Sequence, residues 1–128
     1  MSAHYRTPMK IARGLGSARS GAHHFMVQRI TAVALAVLGL WIVWLALGLL
    51  HTDYATARAL IAKPWNAVLM IGFVVASFWH AQLGLQVVIE DYVHAKGLEL
   101  TLQILVKFAC FLGAAASVLA VLRIALGP

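Results

Sequence analysis

The chain has 128 residues, of which 62% are apolar and only 11% are charged. Soluble domains carry about 25% charged and roughly 45–50% apolar residues, and a small domain buries only about two-thirds of the surface that its unfolded chain exposes. The composition therefore excludes an ordinary soluble domain and predicts one domain, residues 1–128, whose apolar surface is covered by a lipid bilayer.

The basic residues are concentrated at one end of the chain, although the formal net charge of +6 could suggest a nucleic-acid partner. Five of the ten lysines and arginines precede the first apolar run: Arg6, Lys10, Arg13, Arg19 and Arg29. This distribution is typical of the cytoplasmic flank of a membrane helix, whereas a nucleic-acid-binding protein needs a basic face on a structured element. We predict a basic cytoplasmic arm over residues 1–24 and no nucleic-acid binding.

The first apolar run contains no charged residue from Ile30 to Leu50. A helix of about 20 residues crosses the hydrocarbon core, whereas the apolar region of a signal peptide has about 7–15 residues. We therefore predict a transmembrane helix over about residues 25–50. The polar residues 51–65 predict a connection with a short interfacial turn of helix, in which Trp65 is an interfacial anchor.

Two further spans follow, and a polar segment separates them. The second covers about residues 66–89 and is free of charged residues apart from His80; the third covers about residues 100–125 and is interrupted by Lys107. Three crossings from a cytoplasmic arm put the C-terminus in the periplasm, so we predict a bacterial inner-membrane protein with its N-terminus inside.

The fold class is all-α, and small residues indicate where the helices pack. Ala109, Gly113 and Ser117 recur one helical turn apart in the third span, a pattern that allows close approach of another helix. Such helices form either a self-contained bundle or half of a larger one. The single cysteine, Cys110, cannot form an internal disulfide and is interpreted as a packing residue.

His80 lies about ten residues before the polar segment, so it is roughly 15 Å deep in the membrane. Placing an ionisable residue at this depth costs free energy, and such residues are usually functional. A neutral imidazole is a good axial ligand for haem iron. The alternative is a histidine that hydrogen-bonds a neighbouring helix. Gly84, one turn further on, gives a flat porphyrin room, but a helix–helix contact needs the same small residue.

Polar residues at the cytoplasmic end of the second span suit a quinone. The Tyr92 phenol can hydrogen-bond a quinone carbonyl, and the Asp91 carboxylate could help to deliver protons; both are also ordinary residues of a solvated interface. Arg29 could pair with a haem propionate or a quinone oxygen, or serve only as a positive-inside residue. No role is assigned to the following residues: His4, His24, His51, His94 and Lys107.

Two segments resemble a known family. HAQLGLQVVIEDYVH, from His80 to His94, is similar to that family's haem-ligating His, a Gly one turn later and Asp-Tyr-Val beginning eleven residues on. GAHHFMVQRITA, from Gly21 to Ala32, resembles the family's Gly-x-His-x-Phe segment that leads to an Arg at the first span. With three spans in the same order and a similar length, the chain looks like the hydrophobic membrane anchor, or small cytochrome b subunit, of succinate dehydrogenase.

The resemblance implies site roles for six residues. His80 is expected to be one axial ligand of a haem b, and Gly84 to pack against that haem. Tyr92 is expected to hydrogen-bond ubiquinone, with Asp91 lining the same pocket. Arg29 is expected near the haem propionates and the quinone, and His23 near a propionate.

The resemblance also implies partners. A flavoprotein subunit oxidises succinate, an iron–sulfur subunit carries the electrons, and a second cytochrome b anchor subunit supplies the other haem ligand and completes a larger helical bundle. The chain has no catalytic activity alone and passes electrons to ubiquinone only within that complex. Two alternatives remain open: the anchor of a quinol:fumarate reductase, and a structural membrane protein without a cofactor.

Overall fold

A computed structural model, which describes residues 8–9 and 20–127, shows an all-helical protein. Between Ser20 and Gly127 the chain forms four α-helices, with these bounds: α1 Ser20–Leu49, α2 Tyr54–Ala62, α3 Pro64–Tyr92 and α4 Lys96–Leu126. Helices α1, α3 and α4 have 30, 29 and 31 residues and are long and apolar enough to cross a membrane. This part of the structure confirms the predicted three spanning helices.

The spanning helices extend beyond the apolar runs that predicted them. Helix α1 begins at Ser20 rather than near residue 25, so residues 20–24 of the predicted arm are helical; residues 1–7 and 10–19 lie outside the described residues. Thirty residues of helix span about 45 Å, whereas the hydrocarbon core is about 30 Å thick. An apolar run marks only the part of a helix in hydrocarbon, while the helix continues into the headgroup region.

The connection between the first two spans is a nine-residue helix rather than a single turn. Asp53 precedes α2 at its N-cap position, and Pro64 opens α3, where its missing N–H breaks no helical bond. The Asn66 side-chain amide donates a hydrogen bond of 2.7 Å to the carbonyl oxygen of Leu60. This bond ties the end of α2 to the start of α3. Trp65 is 72% exposed there, as expected of an interfacial residue.

Helix α3 is central, because α1 and α4 both pack mainly on it. On the α4 side, a Cβ added at Gly113 would lie only 2.5 Å from the Phe78 ring. The prediction that a small residue here allows close helix approach is confirmed. On the α1 side, Leu38 packs over Gly72, where an added Cβ would lie 3.7 Å from Leu38 Cδ1. Gly113 therefore sets the spacing between α3 and α4, whereas an alanine at Gly72 would make an ordinary van der Waals contact with Leu38.

These helices leave most of their apolar surface uncovered. Within the described residues, only six side chains are buried: Thr31, Leu45, Ala67, Leu83, Ile89 and Val121. Leu40 and Trp44 in α1 are 76% and 70% exposed. In a lipid bilayer the exposure of these apolar side chains does not destabilise the protein, because lipid tails are as apolar as leucine. The apolar faces are available to lipid and to further helices.

Candidate functional site

His80 is half-buried in the middle of α3 and contacts α1 through a hydrogen bond. Its Nδ1 lies 3.0 Å from Oγ1 of Thr31, which is the one buried polar side chain within the described residues. The bond to a neighbouring helix that the packing interpretation requires is therefore present. It occupies one of the two ring nitrogens, and no hydrogen bond from a described residue occupies Nε2.

Beside His80 is a cleft of about 230 Å³ between α1 and α3, lined by Phe25, Gln28, Arg29, Ala32 and His80. The Arg29 guanidinium lies over the Phe25 ring, 5.0 Å from its centroid. This cation–π contact helps to hold the charged group at the cleft. The structure thus brings together Arg29 and His80, which are 51 residues apart in the sequence (80 − 29).

Gly84 lies one turn from His80 towards the end of α3, with open space beside it. No side chain of the described residues comes within 4 Å of the position that a Cβ would occupy. The glycine therefore does not serve a helix–helix contact among these residues. The open space suits either a flat ligand or a helix from another subunit.

Tyr92 ends α3 and is 78% exposed, and Asp91 beside it is also exposed. Tyr92 follows His80 by 12 residues, or about 18 Å of helix, so the phenol and the imidazole belong to two separate parts of the site. Arg29 lines the cleft beside His80.

The neighbouring acidic residue, Glu90, contacts α4 instead of this surface. Its Oε1 accepts hydrogen bonds from the side-chain amides of Gln86, at 2.8 Å, and Gln103, at 3.4 Å. The Gln103 amide also contacts Oε1 of Glu99 at 3.3 Å. Glu90 therefore links α3 to α4, although it is exposed, as Asp91 is.

Of the two adjacent histidines in α1, neither lines the cleft. His23, expected near a propionate, is exposed. His24 is half-buried, and its Nε2 has no hydrogen-bond partner among the described residues. Among the described residues, His23 makes no hydrogen bond with His80 or Arg29, and it does not line their cleft.

The residues around His80 fit one side of a haem. They provide an imidazole nitrogen for the iron, a guanidinium for a propionate and space at Gly84 for the ring edge. Within residues 8–9 and 20–127, no three His, Cys, Asp or Glu side chains cluster as a metal site. His80 is the one histidine that lines this cleft among the described residues.

Besides a cleft of about 420 Å³ between α2 and the end of α4, two larger clefts contain none of the predicted site residues. One, of about 480 Å³, lies among α1, α2 and α3 and includes Trp44, Lys63 and Trp65. The other, of about 400 Å³, lies between α3 and α4 and includes Trp79 and Lys107. Neither is lined by a histidine or a carboxylate. The cleft at His80 is distinguished by its imidazole and its guanidinium, and not by its volume.

Thr31 is the site residue that sequence reasoning did not identify. It is one threonine in an apolar run, where threonine commonly bonds its own helix backbone. Its contact with His80 joins residues 49 apart in the sequence and depends on how α1 packs against α3. No local pattern signals that pairing.

Comparison with known proteins shows a match over nearly the whole chain. Residues 3–116 match the family described as Succinate dehydrogenase/Fumarate reductase transmembrane subunit. The chain is 37% identical over 121 residues to the succinate dehydrogenase hydrophobic membrane anchor subunit of Rickettsia bellii (strain RML369-C), covering 94% of this chain and 97% of that protein. The subunit of the same description from Rickettsia conorii is 38% identical over 110 residues, covering 85% and 87%. That from Paracoccus denitrificans is 35% identical over 91 residues, covering 69% and 68%. The resemblance expected from the two sequence segments is confirmed.

Proposed function

Because this chain belongs to the succinate dehydrogenase/fumarate reductase transmembrane subunit family, we propose that it anchors a succinate dehydrogenase in the membrane. In that complex it contributes one axial ligand of a haem b and part of a ubiquinone site. The cleft that Arg29 and His80 share is the observation that supports this function most strongly. It combines an imidazole, which can ligate haem iron, with a guanidinium suited to a propionate.

His80 would hold the haem iron through Nε2, and Arg29 would pair with a propionate by a charge-assisted hydrogen bond. Gly84 leaves room for the edge of the ring. A haem b bound here would supply a one-electron carrier within the membrane. A second cytochrome b anchor subunit would supply the other protein ligand, and the open face of α1 and α3 is where its helices would pack.

At the quinone, Tyr92 donates a hydrogen bond to a carbonyl oxygen of ubiquinone, and Asp91 assists in delivering protons. Reduction of ubiquinone to ubiquinol takes up two electrons and two protons. The electrons come from succinate, through a flavoprotein subunit and an iron–sulfur subunit that dock at this end of α3. The exposure of both side chains at a helix end supports this assignment, because the ligand and the partner are external to the chain.

The orientation follows from the basic residues that precede the first apolar run. The N-terminus is cytoplasmic and the C-terminus periplasmic, in a bacterial inner membrane. The end of α3 that carries Tyr92 then faces the cytoplasm, as does the start of α1. Protons for ubiquinol formation are accordingly taken from the cytoplasmic side.

Affinity purification tests this function directly. The tagged chain, extracted in mild detergent, is expected to bring a flavoprotein, an iron–sulfur protein and a second small anchor in equal amounts, with haem b. The preparation is expected to reduce ubiquinone with succinate. Recovery of the chain alone and colourless, from membranes whose other respiratory complexes stay intact, would contradict the proposal and favour a structural protein without a cofactor.

A further inference from the structure

The Thr31 hydroxyl is surrounded by three polar atoms between α1 and α3. Its Oγ1 lies 3.0 Å from His80 Nδ1 and also 3.0 Å from the carbonyl oxygens of Val27 and Gln28. A threonine hydroxyl has one proton to donate and two lone pairs that accept. It can therefore donate to one carbonyl of its own helix and still accept a hydrogen bond from the imidazole.

We propose that Thr31 is a positioning residue that fixes the tautomer and the ring orientation of His80 for iron ligation, an inference that rests on the function proposed above. The His80 Nδ1–H donates to Thr31 Oγ1, and the Thr31 hydroxyl donates to the carbonyl of Val27 or Gln28. Nε2 then carries no proton, and its lone pair is free for the iron. The bond also prevents rotation of the ring about the side chain.

The direction of this hydrogen bond separates a positioning role from simple packing. A hydrogen bond that only holds α1 against α3 does so whether Thr31 or His80 donates the proton. Ligation through Nε2, however, requires the imidazole to donate the hydrogen bond from Nδ1. An acceptor at Nδ1–H orients a ligating histidine and makes it more basic. A more basic imidazole stabilises the ferric state, so Thr31 is expected to lower the midpoint potential of the haem.

The test replaces the hydroxyl in the purified complex. Thr31→Val keeps the shape but removes the acceptor, so the midpoint potential is expected to rise, and haem affinity to fall about 10-fold or more. Thr31→Ser restores the hydroxyl and is expected to behave as wild type. Ser117→Ala is the matched control, because the Ser117 hydroxyl donates to the Gly113 carbonyl at 2.8 Å within α4 and its only hydrogen-bond partner there is that carbonyl.

An unchanged haem content and midpoint potential in Thr31→Val would overturn the inference, as would equal shifts in Thr31→Val and Ser117→Ala. A loss of thermal stability alone, with the haem spectrum and midpoint potential unaltered, would also contradict the inference, because Thr31 would then only hold α1 against α3. If Thr31→Val does not assemble, Thr31→Cys is measured, because sulfur is a weaker acceptor; a wild-type potential there equally contradicts the inference. Normal haem in His80→Ala would instead refute the proposed role of His80 as a haem ligand, on which this inference rests.

Discussion

His80→Ala is expected to abolish the six-coordinate, low-spin spectrum of haem b in the purified complex. In the proposed function, alanine would leave the iron with one protein ligand and a void where the imidazole lay. Any haem that stays bound is expected to be high-spin or to have an altered midpoint potential. The measurement is an optical and electron paramagnetic resonance spectrum, with haem quantified per complex.

His94→Ala is the matched control for this substitution. His94 is exposed in the segment between α3 and α4, so its loss is expected to leave haem content and spectrum unchanged. If His80→Ala kept the wild-type haem content, spectrum and potential, His80 would not be a ligand. The hydrogen bond to Thr31 would then be its whole role, as in the packing interpretation.

Tyr92→Phe is expected to slow succinate-dependent reduction of ubiquinone by at least about 10-fold, while leaving succinate oxidation with a water-soluble artificial acceptor unchanged. In the proposed function, the phenol would donate to a quinone carbonyl whose negative charge grows during reduction, and hydrogen bonds to charged groups are worth about 1.5–3 kcal/mol. Phenylalanine keeps the ring and removes only this donor. Both rates are measured on the same purified complex.

Tyr54→Phe provides the control for Tyr92→Phe. Tyr54 begins α2, near the opposite end of the spanning helices, and is 82% exposed compared with 78% for Tyr92. Tyr54→Phe is expected to change neither the rate of ubiquinone reduction nor the rate with the artificial acceptor. Equal effects of the two substitutions, or a normal quinone rate in Tyr92→Phe, would remove Tyr92 from the quinone site.

The spanning helices could be predicted from sequence because the bilayer imposes a strong and local constraint. A charge-free run of about 20 residues has few alternatives to a spanning helix, and His80 is conspicuous within such a run. The helix ends could not be predicted in the same way, since α1 continues to Ser20 through polar residues. Hydropathy reports the hydrocarbon boundary, whereas backbone hydrogen bonding sets the end of a helix.

Contacts between helices could be predicted only in part. Gly113 was recognised as a packing residue from its small neighbours one turn away, but its partner, Phe78, was not. Thr31 and His80, and likewise Arg29 and His80, meet because α1 packs against α3 in a particular register. That register depends on shape complementarity along both helices, which one sequence does not reveal.

The most direct test of the central claim is a high-resolution cryo-electron microscopy map of the purified complex. We predict that His80 Nε2 is bonded to the haem iron, that a residue of another subunit fills the opposite axial position, and that Thr31 Oγ1 contacts His80 Nδ1. A map in which other subunits supply both ligands, or in which lipid packs against His80 with no haem beside α3, would contradict the account.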